Sequence, residues 1–167
     1  QGAEDGYDKM RDGLGWTKQT VYVEPFLKWN RDASGMRPNL AESWEWKEDA
    51  TALVVHIRQG LKWSDGEPLT VDDYLFWWND MVLDEDVPVG APGGTTVGGE
   101  KMQVEKVDDF TLKYTFAAPN PLFMENHSRG SYHSSVFVIP AHYFKQFHPK
   151  YNSEVTDTDE LVNRYDW

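Results

Sequence analysis

The chain has 167 residues, with 28 Asp or Glu against 16 Lys or Arg, for a formal net charge of -12. That balance excludes a nucleic-acid partner, whose phosphate backbone needs clustered cations, and it opposes adsorption to anionic membranes. Hydrophobic residues at 40% and aromatics at 14% exclude a disordered tail, and the lack of cysteine excludes disulfides, thiolate metal sites and cysteine nucleophiles.

A chain of this length is one domain, or one domain with a piece of a neighbour, and it buries about 70% of its unfolded surface. No run approaches the roughly 20 apolar residues of a membrane span, and the polar opening QGAEDGYDKMRDG is no signal segment.

In chain order, residues 1–15 are rich in Gly and Asp and read as a loop. The segment from Trp16 to Trp29 predicts a short helix interrupted near Pro25. RDASGMRPN, with Asp32, Ser34, Gly35, Pro38 and Asn39, is turn chemistry. Trp44 and Trp46 then alternate with Ser43, Glu45 and Lys47, the period of a half-buried strand. Glu48, Asp49 and Ala50 make a hairpin-like turn into a second, apolar strand over Leu53 to Arg58, closed by Gly60.

Trp63-Ser64-Asp65-Gly66 is a tight turn in which Asp65 can bond its own downstream amides and Gly66 can take positive φ. Thr70 is placed as a helix N-cap with Asp73 three residues on, the spacing of a capping box, and Asp72 and Asp73 favour the positive end of the helix dipole. Val71, Tyr74, Leu75, Trp78, Met81 and Val82 form one apolar face of a helix running to about Leu83. Trp77 stands beside that stripe and is expected at an interface.

Residues 84–101 hold many glycines and read as one long loop, the kind that is functional or mobile. Two strands flank Asp108-Asp109, with Val104, Leu112, Tyr114 and Phe116 alternating against Glu105, Lys113 and Thr115. Pro119 and Pro121 stop the second strand and open a short helix through Phe123 and Met124. SVFVIP predicts another buried strand, Pro140 starts a helix over AHYFKQF, and DTDELVNRYDW begins a helix that the chain end cuts off. The sum is α+β: a small antiparallel or mixed sheet packed against a few amphipathic helices.

Few residues are arranged for chemistry. Adjacent Asp72 and Asp73 point about 100° apart on a helix and cannot share a proton. Asp84, Glu85 and Asp86 lack the Gly-turned alternation of a calcium loop, and Asp157, Asp159 and Glu160 read as an acidic first helical turn. His127 and His133 lack the spacing of metal ligands on one helix face, as do His142 and His148, while His56 is placed as a cross-strand partner. Ser64 and Ser134 have no nucleophile-elbow context, and GGTTVGG lacks the ending of a phosphate-binding loop. Neither a metal nor a cofactor is expected. Eight tryptophans are the unusual feature, with Trp44, Trp46, Trp63, Trp77 and Trp78 around the first hairpin and main helix. They suit either a sugar-stacking groove or a lobe core with its interface.

The stretch RPNLAESWEWKEDATALVVHIRQGLKWSDGEPLTVDDYLFWW resembles the extracellular solute-binding proteins of family 5, receptors that feed ABC importers for peptides, nickel and some oligosaccharides. The resemblance rests on Leu40, Ala41, Glu42, Ser43 and Trp44, then Arg58 and Gly60, then Lys62, Trp63, Asp65, Gly66, Pro68, Thr70 and Asp73. VEKVDDFTLKYTFAAPNPLF and FVIPAHYF extend it more weakly, to roughly residues 23–148.

It implies an accessory subdomain over 31–150 of a two-lobed clamp of the class II periplasmic-binding-protein fold. Residues 1–30 would belong to the first lobe, and 151–167 would be a truncated return helix. It implies solute bound between lobes, with cleft-facing loops that include Asp12, Gly13, Trp16, Val87, Pro88, Val89 and Gly90. Trp44, Arg58, Trp63, Asp65, Gly66, Thr70 and Asp73 would be structural. The implied partners are a peptide or oligosaccharide-like solute, an ABC importer permease and the remaining lobe of the parent chain, in an extracytoplasmic setting, periplasmic or as a cell-surface lipoprotein. No catalysis is expected. The alternatives are a free-standing Trp-rich carbohydrate-binding module and a carbohydrate hydrolase domain, the latter needing two facing carboxylates about 5–9.5 Å apart.

Overall fold

Alternation builds the central sheet. The computed structural model describes residues 24–87, 89–128 and 138–165. Strands β1 (Leu27–Trp29) and β2 (Met36–Pro38) pair antiparallel. β3 (Ala41–Lys47) and β4 (Ala52–Ile57) form the next hairpin, with Trp44 opposite Val55 and Trp46 opposite Leu53. Their turn places Asp49 and Ala50 at φ 51° and 59°. Asp tolerates this left-handed region, whereas Ala does so at a cost of about 1–2 kcal/mol. Tertiary bonds hold the turn there: Asn120 N–H donates to Ala50 O at 2.9 Å and Phe116 N–H to Thr51 O at 2.8 Å.

The main helix follows as α1 (Val71–Leu75), which continues as π-helical turns over Phe76–Val82. A two-residue-strand hairpin, β5 (Thr96–Val97) and β6 (Glu100–Lys101), precedes β7 (Gln103–Asp108) and β8 (Thr111–Thr115). The four-stranded sheet runs β3-β4-β8-β7, all antiparallel, so β8 sits in the centre beside β4. Short helices α2 (Phe123–His127), α3 (Ala141–Phe144) and α4 (Asp159–Tyr165) complete the order, with a 3-10 turn over Lys145–Phe147 after α3.

The core lies between one sheet face and the main helix. Leu53, Val55, Ile57, Leu112, Tyr114 and Phe116 supply the sheet side, and Val71, Tyr74, Trp78 and Met81 the helix side. Phe26 bridges them, stacked on Tyr74 at 4.9 Å and edge-on to Tyr114 at 6.3 Å. Burial pushes both tyrosine hydroxyls well above their ordinary titration range, so these rings stay neutral packing elements.

Several expectations are corrected. Within the stretch read as an interrupted helix, Leu27–Trp29 is a strand paired with Met36–Pro38, and residues 16–23 lie outside the described residues. Turn residues between the two segments bring them together, and two paired strands satisfy each other's backbone where an isolated turn of helix after Pro25 could not. The turn-rich segment accordingly ends in a strand.

The glycine-rich stretch is not one open loop, because β5 and β6 form a hairpin around Gly98 and Gly99, both at positive φ. The main helix ends in π-helical rather than α turns: Leu83 N–H donates five residues back to Trp78 O at 3.0 Å. Trp77 is only 1% exposed instead of facing outward. A π turn changes the angular spacing from about 100° per residue, and the second side is covered too, so almost the whole helix is interior. Residues 138–140 form no strand, although Val138 and Ile139 are buried. The rest of SVFVIP lies outside the described residues.

Candidate functional site

The turn before the main helix is built as its residues dictate. Asp65 Oδ1 accepts from Glu67 N–H at 3.1 Å, Gly66 sits at φ 95°, and Trp63 N–H donates to Glu67 O at 2.9 Å. Asp65 Oδ2 lies 2.7 Å from His142 Nε2 on α3. That bond, and then the Glu67 amide, hold the Asp65 carboxyl below its usual range. Thr70 Oγ1 accepts from Asp72 N–H at 3.3 Å while Thr70 N–H donates to Asp73 Oδ2 at 3.0 Å, which is the reciprocal capping box.

Asp73 is 4% exposed and does more than cap. Its Oδ2 also accepts from Trp63 Nε1 at 3.2 Å, and its Oδ1 from Ala141 N–H at 2.8 Å. Arg58 Nε donates to Asn39 O at 2.7 Å, tying the end of β4 to the strand-entry segment. Trp44 is half-buried against the core. Of the seven residues read as structural, Trp63, Thr70 and Asp73 are joined directly by hydrogen bonds at the N-terminal end of the helix, Asp65 and Gly66 form the turn before it, and Trp44 and Arg58 lie on the adjoining sheet.

The other end of the helix carries the loop expected to face a solute. Val87 is buried, Val89 is half-buried against the core, and Gly90 is exposed. Asp12, Gly13, Trp16 and Pro88 lie outside the described residues. The loop is braced from several directions. Lys101 Nζ donates to Val82 O at 3.4 Å, Thr158 Oγ1 to Asp86 O at 2.7 Å, and Asn120 Nδ2 to Gly94 O at 2.9 Å. Thr95 is fully buried, with its hydroxyl on Pro92 O at 2.6 Å. These bonds fix the loop's backbone at separate points along its length.

Sequence reasoning missed the polar cluster beneath this loop. Asp80, on the π-helical segment, is 5% exposed; it accepts from Lys150 Nζ at 2.5 Å and Tyr151 Oη at 2.7 Å. Its carbonyl accepts from His148 Nε2 at 2.9 Å, and His148 also lies 3.6 Å from Asp84 Oδ2. Asp80 raises the Lys150 ammonium above its ordinary value, and burial followed by Asp80 raises the Tyr151 hydroxyl. The one available signal was a charged residue inside the apolar run FWWNDMV, which demands a partner. His56 does sit across strands, with Nδ1 3.1 Å from Thr111 Oγ1.

A family model described as bacterial extracellular solute-binding proteins, family 5 Middle, matches residues 35–162. The periplasmic alpha-galactoside-binding protein of Rhizobium meliloti (strain 1021) is 37% identical over 139 residues, which are 83% of this chain and 20% of that protein. The periplasmic oligopeptide-binding protein OppA of Escherichia coli (strain K12) is 31% identical over 102 residues, 52% of this chain and 18% of that protein.

Among solved structures, an oligopeptide-binding protein OppA superposes with a TM-score of 0.69 at 34% identity, covering 88% of this chain and 21% of that one. The periplasmic binding protein MelB of Agrobacterium fabrum C58, in complex with stachyose, superposes with a TM-score of 0.65 at 32% identity, covering 86% and 22%. The chain therefore spans about a fifth of the length of these relatives, all of which are named as binding proteins.

Proposed function

We infer the role of this chain from one premise: it belongs to the bacterial extracellular solute-binding proteins of family 5. Its fold is part of a class II periplasmic binding protein. The whole protein would capture a small solute outside the cytoplasm, at the periplasm or cell surface, and hand it to an ABC importer permease. Closure of two lobes on the solute would convert binding energy into a shifted open-to-closed population.

The chain would serve as the accessory subdomain over 31–150, with 1–30 from the first lobe and 151–167 returning toward it. The loop around Val87, Pro88, Val89 and Gly90, and the segment with Asp12, Gly13 and Trp16, would approach the solute. The relatives this chain matches are named as binding proteins, which supports a binding role over hydrolysis.

The observation that carries this reading is the 37% identity with an alpha-galactoside-binding protein over 83% of the chain. It favours an alpha-galactoside-type oligosaccharide as the solute. A peptide is the second reading, favoured by the superposition on an oligopeptide-binding protein at 34% identity. Isothermal titration of the full-length protein with stachyose and with di- and tripeptides tests both. Saturable heat with stachyose alone supports the first reading and with peptides alone the second, while heat with neither overturns the receptor role for these solutes.

A further inference from the structure

The last carbonyls of a helix have no intrahelical donor, and at the end of the main helix a distant stretch of chain supplies one. His148 is 2% exposed, and backbone groups engage both of its ring nitrogens. Lys150 N–H donates to Nδ1 at 3.2 Å, and Nε2 lies 2.9 Å from Asp80 O. An amide only donates and a carbonyl only accepts, so both bonds are satisfied with the ring proton on Nε2. Phe76 and Tyr151 meet the ring edge-on, with centroids 6.0 and 5.5 Å away, which fixes its tilt.

The turn that follows the helix closes on itself: Asp84 Oδ1 accepts the Asp86 N–H at 2.9 Å, and Asp84 O the Val87 N–H at 3.2 Å. Those local bonds set its shape but not its place. The stretch that carries His148 reaches the turn at two points. Asp84 Oδ2 faces His148 Nε2 at 3.6 Å, and Asp86 O accepts the Thr158 hydroxyl at 2.7 Å across 72 residues of sequence. Thr158 stands just before α4, where a hydroxyl often serves the helix's own amides. Here its proton goes to the loop, while Asp157 Oδ1 takes the Asp159 N–H at 3.1 Å.

We propose that Thr158 is a positioning residue for solute binding, an inference that rests on reading this loop as solute-facing. Its hydroxyl holds the Asp84–Val87 turn in the conformation that meets the solute, without touching the solute itself. His148 and the buried side chain of Val87 hold the flanks of the turn, so the Thr158 bond governs its exposed middle at Asp86. A loop held in place beforehand loses less freedom when solute arrives. A loop free to leave that conformation raises the apparent dissociation constant by the inverse of its competent fraction.

The test compares full-length wild type with Thr158→Val, which keeps the shape but removes the hydroxyl, and with Thr158→Ser, which keeps the hydroxyl. Residue-resolved amide exchange reads the turn, and isothermal titration with stachyose and with tri-alanine reads affinity. In Thr158→Val the Asp86 and Val87 amides should exchange at least about threefold faster. The Val162 amide, which donates to Thr158 O in α4, and those of β4 should keep their rates. The dissociation constant for whichever probe the wild type binds should rise at least about threefold, and Thr158→Ser should restore both readings. Unchanged exchange at Asp86 and Val87 overturns the brace, and equal acceleration at Val162 overturns it in favour of a role in α4 alone. Faster exchange in the turn with unchanged affinity overturns the positioning role. If the wild type binds neither probe, the solute reading fails for them, and the exchange rates decide the brace alone.

Discussion

The Asp73 carboxylate grips the backbone of Ala141 from 68 residues away, accepting its N–H at 2.8 Å while the other oxygen serves Thr70 and Trp63. One buried side chain thereby caps the main helix, orients an indole and anchors the entry to α3. We expect Asp73→Ala to lower stability by about 2–4 kcal/mol, combining a lost cap with buried N–H groups left unpaired. Asp73→Asn retains acceptor oxygen and should cost roughly half as much. Urea denaturation measures both, and a loss below about 0.5 kcal/mol for the alanine variant would contradict the anchoring role.

Asp80 plays the corresponding part at the other helix end. Asp80→Asn keeps the shape but removes the charge that Lys150 and Tyr151 bond, so we expect a loss of about 1–3 kcal/mol. The Tyr151 and Asn152 amides donate to His148 O in the same turn. Their hydrogen exchange should speed up in the variant more than that of β4 and β8, and unchanged local exchange would separate this turn from Asp80.

The β5–β6 hairpin offers a paired comparison. Gly98 and Gly99 sit at φ 66° and 86°, and a Cβ on Gly98 would meet Ala118 Cβ at 3.3 Å, whereas one on Gly99 meets nothing within 4 Å. Gly99→Ala should therefore cost only backbone strain, about 1 kcal/mol, and Gly98→Ala about 1 kcal/mol more from overpacking. Thermal midpoints of the two variants decide it; equal shifts would mean that the Ala117–Ala118 segment yields freely.

The pH dependence has two signs. Asp65 has a depressed folded pKa, held down first by His142 and then by the Glu67 amide. Its contribution is full above the unfolded value near ~4 and is lost as pH falls through the folded value. The stability difference between wild type and Asp65→Asn should thus be present at about pH 5 and shrink progressively as pH falls below about 4. Lys150 and Tyr151 have raised folded values, chiefly through Asp80 for the lysine and burial for the tyrosine. Their contributions are full below about pH 10 and disappear as pH rises above it. Denaturation midpoints across both windows check these signs; acid loss that persists unchanged in Asp65→Asn would remove this residue from the account.

By itself, the order of residues determined the elements whose partners lie within a few positions. Thr70 and Asp73 close their capping box over three residues, Asp65 bonds Glu67 over two, and Trp44 and Trp46 face inward because strands alternate. The same locality made the turn-and-helix motif that marks the family legible before any coordinates. Tertiary structure alone decided the rest. Periodicity names an apolar face but not what covers the opposite one, so Trp77 was buried by packing that no helical wheel contains. The pairing of β4 with β8, the hold of Asp73 on Ala141 and the seating of Lys150 and Tyr151 on Asp80 all join groups tens of residues apart. Such contacts form only when burial repays the entropy of closing a long loop, and that balance belongs to the assembled core rather than to any local stretch.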